Sequence, residues 1–88
     1  MSNTGNLLML KREEVVDRLN HIFRDIFDDD DICVTDNTAA ADIEGWDSLA
    51  HITLILGVER EFRMKMTAAE VGSLKNVGQM IDLIVARG

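Results

Sequence analysis

Apolar residues return at helical spacing in three stretches of this chain. From about Lys11 to Phe27 they are Val15, Val16, Leu19, Ile22, Phe23, Ile26 and Phe27, at intervals of one, three and four. That pattern predicts an amphipathic helix with one buried stripe. Glu13, Glu14 and Asp17 lie early in it, where negative charge suits the helix dipole. Residues 48–62 predict a second helix, with Leu49, Ile52, Ile55, Leu56, Val58 and Phe62 forming the apolar face and Leu54 beside it. Gly57 inside it costs about 1 kcal/mol relative to alanine, and such a glycine permits close packing. Val77, Met80, Ile81, Ile84 and Val85 mark a last helix that ends near Arg87, with Gly88 beyond. Thr67-Ala68-Ala69-Glu70 reads as a capping box, and Gly72 limits the helix it opens to one or two turns. Asn76-Val77-Gly78-Gln79 repeats that logic at the start of the last helix.

Residues 28–46 break the periodicity. Asp28-Asp29-Asp30-Asp31 has low helix propensity and repels itself. Ile32 and Val34 alternate with Cys33, but one extended piece cannot make a sheet. The expectation is a long ordered loop whose Ile32, Val34, Ile43 and Trp46 fold back onto the core, with Cys33 as a small buried residue. The predicted fold is all-α: a four-helix bundle of three long helices and one short, with the long loop between helices 1 and 2 running the length of the bundle. Residues 1–7 are expected as a disordered tail and residues 8–88 as a single domain.

Composition narrows the function. A chain of 88 residues holds one small domain, and 47% apolar residues suffice for a modest core. No run approaches the roughly 18 apolar residues of a membrane span. Leu7-Leu8-Met9-Leu10 is followed at once by Lys11 and Arg12, the wrong order for a secretory signal. A cytoplasmic protein is therefore expected. The lone Cys33 allows no internal disulfide. Net charge is −7, which disfavours nucleic acid and anionic membranes and favours basic protein surfaces. The segment Asp28–Asp47 carries eight carboxylates and no Lys or Arg, so the acidity belongs to the loop and the approach to residue 48.

Gly45-Trp46-Asp47-Ser48-Leu49 stands where that loop meets the second helix. A hydroxyl on a first helical turn lies beside unpaired backbone N–H groups and the positive end of the dipole, a setting that favours a phosphate ester. Asp47 suits the N-cap, and an Asp-Ser capping pair alone would account for both residues. Asp47, Ser48 and His51 do not make a hydrolase triad: one helix face does not aim the imidazole at Oγ with a carboxylate behind it, and there is no Gly-x-Ser-x-Gly elbow. No catalytic residue is assigned. Counting from Asp28, a calcium loop would need glycine at Cys33 and glutamate at Ala39, so the run reads as solvated charge. Cys33, His21 and His51 lack metal-ligand spacing. His21 is expected half exposed, and His51 as a surface residue facing partners. Met64, Met66 and Met80 read as gap-filling core or cleft residues.

Asp47-Ser48-Leu49, then Ile52, Leu54 and Ile55, then Glu59-Arg60-Glu61-Phe62, Met64 and Met66, Thr67-Ala68-Ala69-Glu70, Leu74, Val77 and Met80 together resemble the acyl carrier protein family over nearly the whole chain. The resemblance implies a carrier, not an enzyme. It implies 4′-phosphopantetheine, taken from coenzyme A, on Ser48, and acyl groups held on it as thioesters for fatty acid, polyketide or related synthesis. The implied partners are a phosphopantetheinyl transferase, an acyl-activating ligase or acyltransferase, and downstream condensing or transferring enzymes. Partner contacts are expected at Asp47, Leu49, Ile52, Val58 and Glu59. A sheltering cleft is expected along Leu54, Ile55, Leu56 and Val58. No nucleic acid, membrane span or metal is implied, and a monomer is expected. Ala50, His51, Thr53 and Arg60 make the outer face of helix 2 less acidic than in the carriers of fatty-acid synthesis. Gly-Trp-Asp-Ser looks more like stand-alone carriers of specialised pathways. Two alternatives stand beside this reading: a peptidyl or aminoacyl carrier, such as a D-alanyl carrier, and an acidic helical adaptor without a cofactor.

Overall fold

A computed structural model describes residues 11–87; the expected tail, Leu8–Leu10 and Gly88 lie outside the described residues. Four helices follow one another: α1 (Arg12–Phe27), α2 (Ser48–Phe62), α3 (Ala68–Ser73) and α4 (Val77–Arg87), with a single 3-10 turn at Ala40–Asp42. No strand occurs among the described residues. The all-α bundle of three long helices and one short is thus observed, with its long loop between α1 and α2.

Three stripes meet to form the core. Val15, Leu19 and Phe23 come from α1; Leu54, Ile55, Val58 and Phe62 from α2; Val77, Met80, Ile81 and Ile84 from α4; Val34 and Met64 are added from the connections. A fully buried aliphatic or aromatic side chain stabilises by about 1.5–3 kcal/mol relative to exposure, so this cluster dominates the fold. α1 and α2 approach closely at Gly57, where a Cβ would stand 3.3 Å from Cγ2 of Ile22. The apolar face assigned to α2 needs correction. Leu54 lies at the centre of the buried stripe, whereas Leu49, Ile52 and Leu56 are 74%, 55% and 57% exposed on the far side of the helix. This helix is apolar on two faces, and only the packing of α1 decides which one goes in.

The long loop is ordered by buried anchors. Asn20, the one buried polar side chain among the described residues, accepts the Val34 N–H at 2.7 Å. The Arg24 Nε–H donates to the Ile32 carbonyl at 2.8 Å. Farther on, the loop caps α4: Val77 N–H donates to the Thr38 carbonyl at 2.8 Å and Gly78 N–H to that of Asp36 at 2.9 Å. Position 78 must be glycine for this contact, because a Cβ there would stand 2.7 Å from the Asp36 carbonyl oxygen. Arg12 bridges Asp82 and Asp36 at 2.7 and 3.0 Å, and its guanidinium pKa is raised by those two hydrogen bonds, that of Asp82 foremost. As expected, Val34 is buried and Ile32, Ile43 and Trp46 pack on the core. Cys33 differs: alternation along the extended piece turns it outward, and it is exposed.

Both predicted capping sequences form, one of them altered. Thr67 Oγ1 accepts the Glu70 N–H at 3.1 Å while Glu70 Oε1 accepts the Thr67 N–H at 2.8 Å. At α4, Asn76 Oδ1 accepts the Gln79 N–H at 2.9 Å, but Gln79 reaches one residue farther back, to the Lys75 N–H at 2.8 Å.

Candidate functional site

The site begins with the turn that delivers Ser48. Gly45 adopts φ +89°, a left-handed conformation that side chains with a Cβ rarely take. The turn sends Trp46 inward and the next two residues outward. Trp46 packs edge-on against Phe23, with centroids 5.3 Å apart and planes at 77°, and also against Phe27 at 6.2 Å. Asp47 has extended backbone and its Oδ1 accepts the Ala50 N–H at 2.9 Å, the N-cap predicted for it. Ser48 is therefore the first residue of α2, and it is exposed. The N–H groups of Ser48 and Leu49 have no preceding helical carbonyl to pair with, so they point outward with the positive end of the dipole.

A hollow of about 550 Å³ opens beside Ser48. Trp46, Asp47, Ser48, His51 and Ile52 line it on one side, with Ala40 from the 3-10 turn. Val71, Gly72, Leu74, Lys75, Asn76 and Met80 close the other. Its chemistry is mixed: an apolar floor at Val71, Leu74 and Met80, one cation at Lys75, and a rim that carries exposed Ile52, the Asp47 carboxylate and the Ser48 hydroxyl.

The remaining expected site residues fall into three groups. Leu49 and Ile52 stand exposed near Ser48, with Asp47 between solvent and the helix end. Glu59 is half-buried at the other end of α2, where Oε2 accepts the Met66 N–H at 2.8 Å and fixes the α2–α3 connection. Val58 is a correction: it is 0% exposed and belongs to the core, because it lies on the stripe with Leu54 and Phe62 rather than with Leu49 and Ile52. The expected cleft is corrected for the same reason. Leu54 and Val58 are packed solid, Leu56 faces solvent, and the hollow near Ser48 lies instead between the start of α2 with its preceding turn and the segment Val71–Met80.

His51 is not the free surface residue expected. It is half-buried, with Nδ1 3.1 Å from Trp46 Nε1 and Nε2 3.3 Å from the Val71 carbonyl oxygen. His21, in contrast, is exposed. The Trp46–His51 pair is five residues apart, a separation that bridges loop and helix and has no local sequence signature. Asp28, Asp29, Asp42 and Glu44 surround a second hollow, but no group of three or more His, Cys, Asp or Glu among the described residues is arranged to hold a metal ion. No described helix is long and apolar enough to cross a membrane.

Comparison with known proteins converges on one family. The solution structure of holo acyl carrier protein from Geobacter metallireducens is similar, with 45% sequence identity and a TM-score of 0.76, over 83% of this chain and 87% of that one. The acyl carrier protein of Thermotoga maritima is 29% identical over 76 residues, 86% of this chain and 94% of that protein. No family model matches. With identity at this level over most of both chains, the same helical fold, and a serine opening the second helix, the chain belongs to the acyl carrier protein family, whose members are carriers and not enzymes.

Proposed function

We propose that Ser48 bears 4′-phosphopantetheine transferred from coenzyme A, and that residues 8–88 act as one carrier domain. The chain would take acyl intermediates between enzymes of fatty acid, polyketide or related specialised biosynthesis in the cytoplasm. The observation that carries this reading is the placement of Ser48: an exposed hydroxyl on the first turn of α2, at the rim of a hollow with an apolar floor.

The residues present fit the group. A phosphodiester at Ser48 Oγ would meet the first-turn N–H groups and the positive helix end, with Lys75 lining the same hollow. Asp47 adds an opposing charge, held at the helix end by the Ala50 N–H. When bound, the group supplies a thiol on a long tether, which holds acyl groups as thioesters and raises their effective concentration at successive enzymes. The protein's own part is to present one hydroxyl on a turn fixed by Trp46 and the Asp47 cap. Among the described residues, none is placed as a general base for Ser48. The nearby imidazole has both ring nitrogens engaged elsewhere, so activation of the hydroxyl falls to the transferase.

Asp47, Leu49 and Ile52 present a carboxylate and an apolar pair beside Ser48, a surface for the transferase, for an acyl-activating ligase or acyltransferase, and for condensing enzymes. Ala50, His51, Thr53 and Arg60, among Glu59 and Glu61, leave the outer face of α2 less acidic, which favours a specialised pathway over the housekeeping synthase. The test is incubation with coenzyme A and a broad-specificity transferase. A mass gain of one phosphopantetheinyl group in the native chain, absent in Ser48→Ala, is expected. A native chain that gains nothing would favour the acidic adaptor instead.

A further inference from the structure

We infer that His51 is a positioning residue, a clasp that fastens α3 to the start of α2 and so sets the width of the hollow beside Ser48. The clasp is a matter of geometry in the chain itself. Its consequence for cargo rests on the reading of Ser48 as the tether point.

Trp46 is a rigid donor. Its indole packs against both Phe23 and Phe27, and its Nε1 has a proton to give and no lone pair to offer. That N–H meets Nδ1 of His51 at 3.1 Å, with the two ring planes 24° apart. Nδ1 must therefore be the bare nitrogen, which leaves the ring proton on Nε2. Nε2 faces the Val71 carbonyl at 3.3 Å, so the imidazole accepts from the loop and donates to α3. The Asp47 carboxylate does not compete for the ring, because it is taken by the Ala50 N–H.

α3 needs such a tie. It has six residues, none of them buried, and its capping box joins it only to itself. On the side away from the hollow, Glu70 pairs with Arg87, whose guanidinium also donates to the Lys65 carbonyl at 2.6 Å; both contacts are exposed. On the hollow side the polar tie is His51, beside the half-buried Val71 side chain that packs on the core. Val71 and His51 meet at the edge of that hollow, and Met80, almost fully buried, lies on its floor. Releasing the clasp lets α3 lean away and opens a path toward Met80, so His51 governs how readily an apolar group tethered at Ser48 finds shelter.

The test uses the full chain with Ser48 unmodified. Long-range nitrogen–proton NMR is expected to show His51 protonated on Nε2 and bare on Nδ1. In His51→Phe, which keeps a ring but neither nitrogen, the Trp46 indole N–H signal shifts. The α3 amides then exchange about three- to tenfold faster, the factor one hydrogen bond of ordinary net strength provides, while α1 amides do not change. His51→Gln, which retains one acceptor and one donor, recovers part of that protection. A proton on Nδ1, unchanged α3 exchange in His51→Phe, or equal acceleration of α1 and α3 overturns the clasp. Transferase loading is read in parallel: failure of the native chain to load Ser48 would refute the carrier reading while leaving these spectroscopic outcomes intact.

Discussion

The long acidic loop and the short helix α3 flank the same hollow, and they are held in opposite ways. The loop has almost no regular structure, yet Val34 is buried, its N–H is taken by buried Asn20, and its carbonyls at Asp36 and Thr38 cap α4. α3 is regular, but it buries no residue and is tied by exposed or half-buried contacts. Regularity therefore does not measure rigidity in this molecule. What does is whether the bonds that hold a segment are shielded from water, since only a shielded bond leaves an unsatisfied group when broken. The division suits a carrier: a fixed wall presents Ser48, and a loosely held wall faces it.

Three substitutions sharpen that contrast. Gly78→Ala is the most damaging, because its Cβ would sit 2.7 Å from the Asp36 carbonyl oxygen and push the loop off the start of α4. A loss of about 3 kcal/mol is expected in urea unfolding, combining overpacking with a disturbed buried bond. Asn20→Ala strands the Val34 N–H and is expected to cost about 2 kcal/mol, with the loop amides losing protection first. Thr67→Ala removes one half of the α3 capping box and is expected to cost about 1 kcal/mol locally. Because α3 is held loosely, that change raises α3 hydrogen exchange and moves the global unfolding midpoint little. Equal effects of Asn20→Ala and Thr67→Ala on global stability would erase the distinction between the two walls.

Much of this was legible beforehand because it is local. The spans of α1, α2 and α4 follow from apolar spacing, and Thr67 with Glu70 announces α3. Asp47 at the N-cap and Ser48 on the first turn follow from the same one-turn chemistry. The illegible parts depend on pairings across the fold. Asn20 reads as a polar residue on a helix until Val34 arrives, and His51 reads as a surface histidine until Trp46 and Val71 meet it. The inner face of α2 could not be chosen from its own residues, since Leu49, Ile52 and Leu56 make as good a stripe as Leu54, Val58 and Phe62. Val58 was misplaced for that reason, and Cys33 because its partners on the extended piece, Ile32 and Val34, take the inward positions.

The most direct measurement is peptide mapping by mass spectrometry of the protein purified from a cell that makes phosphopantetheinylated carriers. A phosphopantetheine adduct on the peptide containing Ser48, and on no other, is the expected result. An adduct at any other residue, or a Ser48 that stays bare in such a cell, would contradict the assignment.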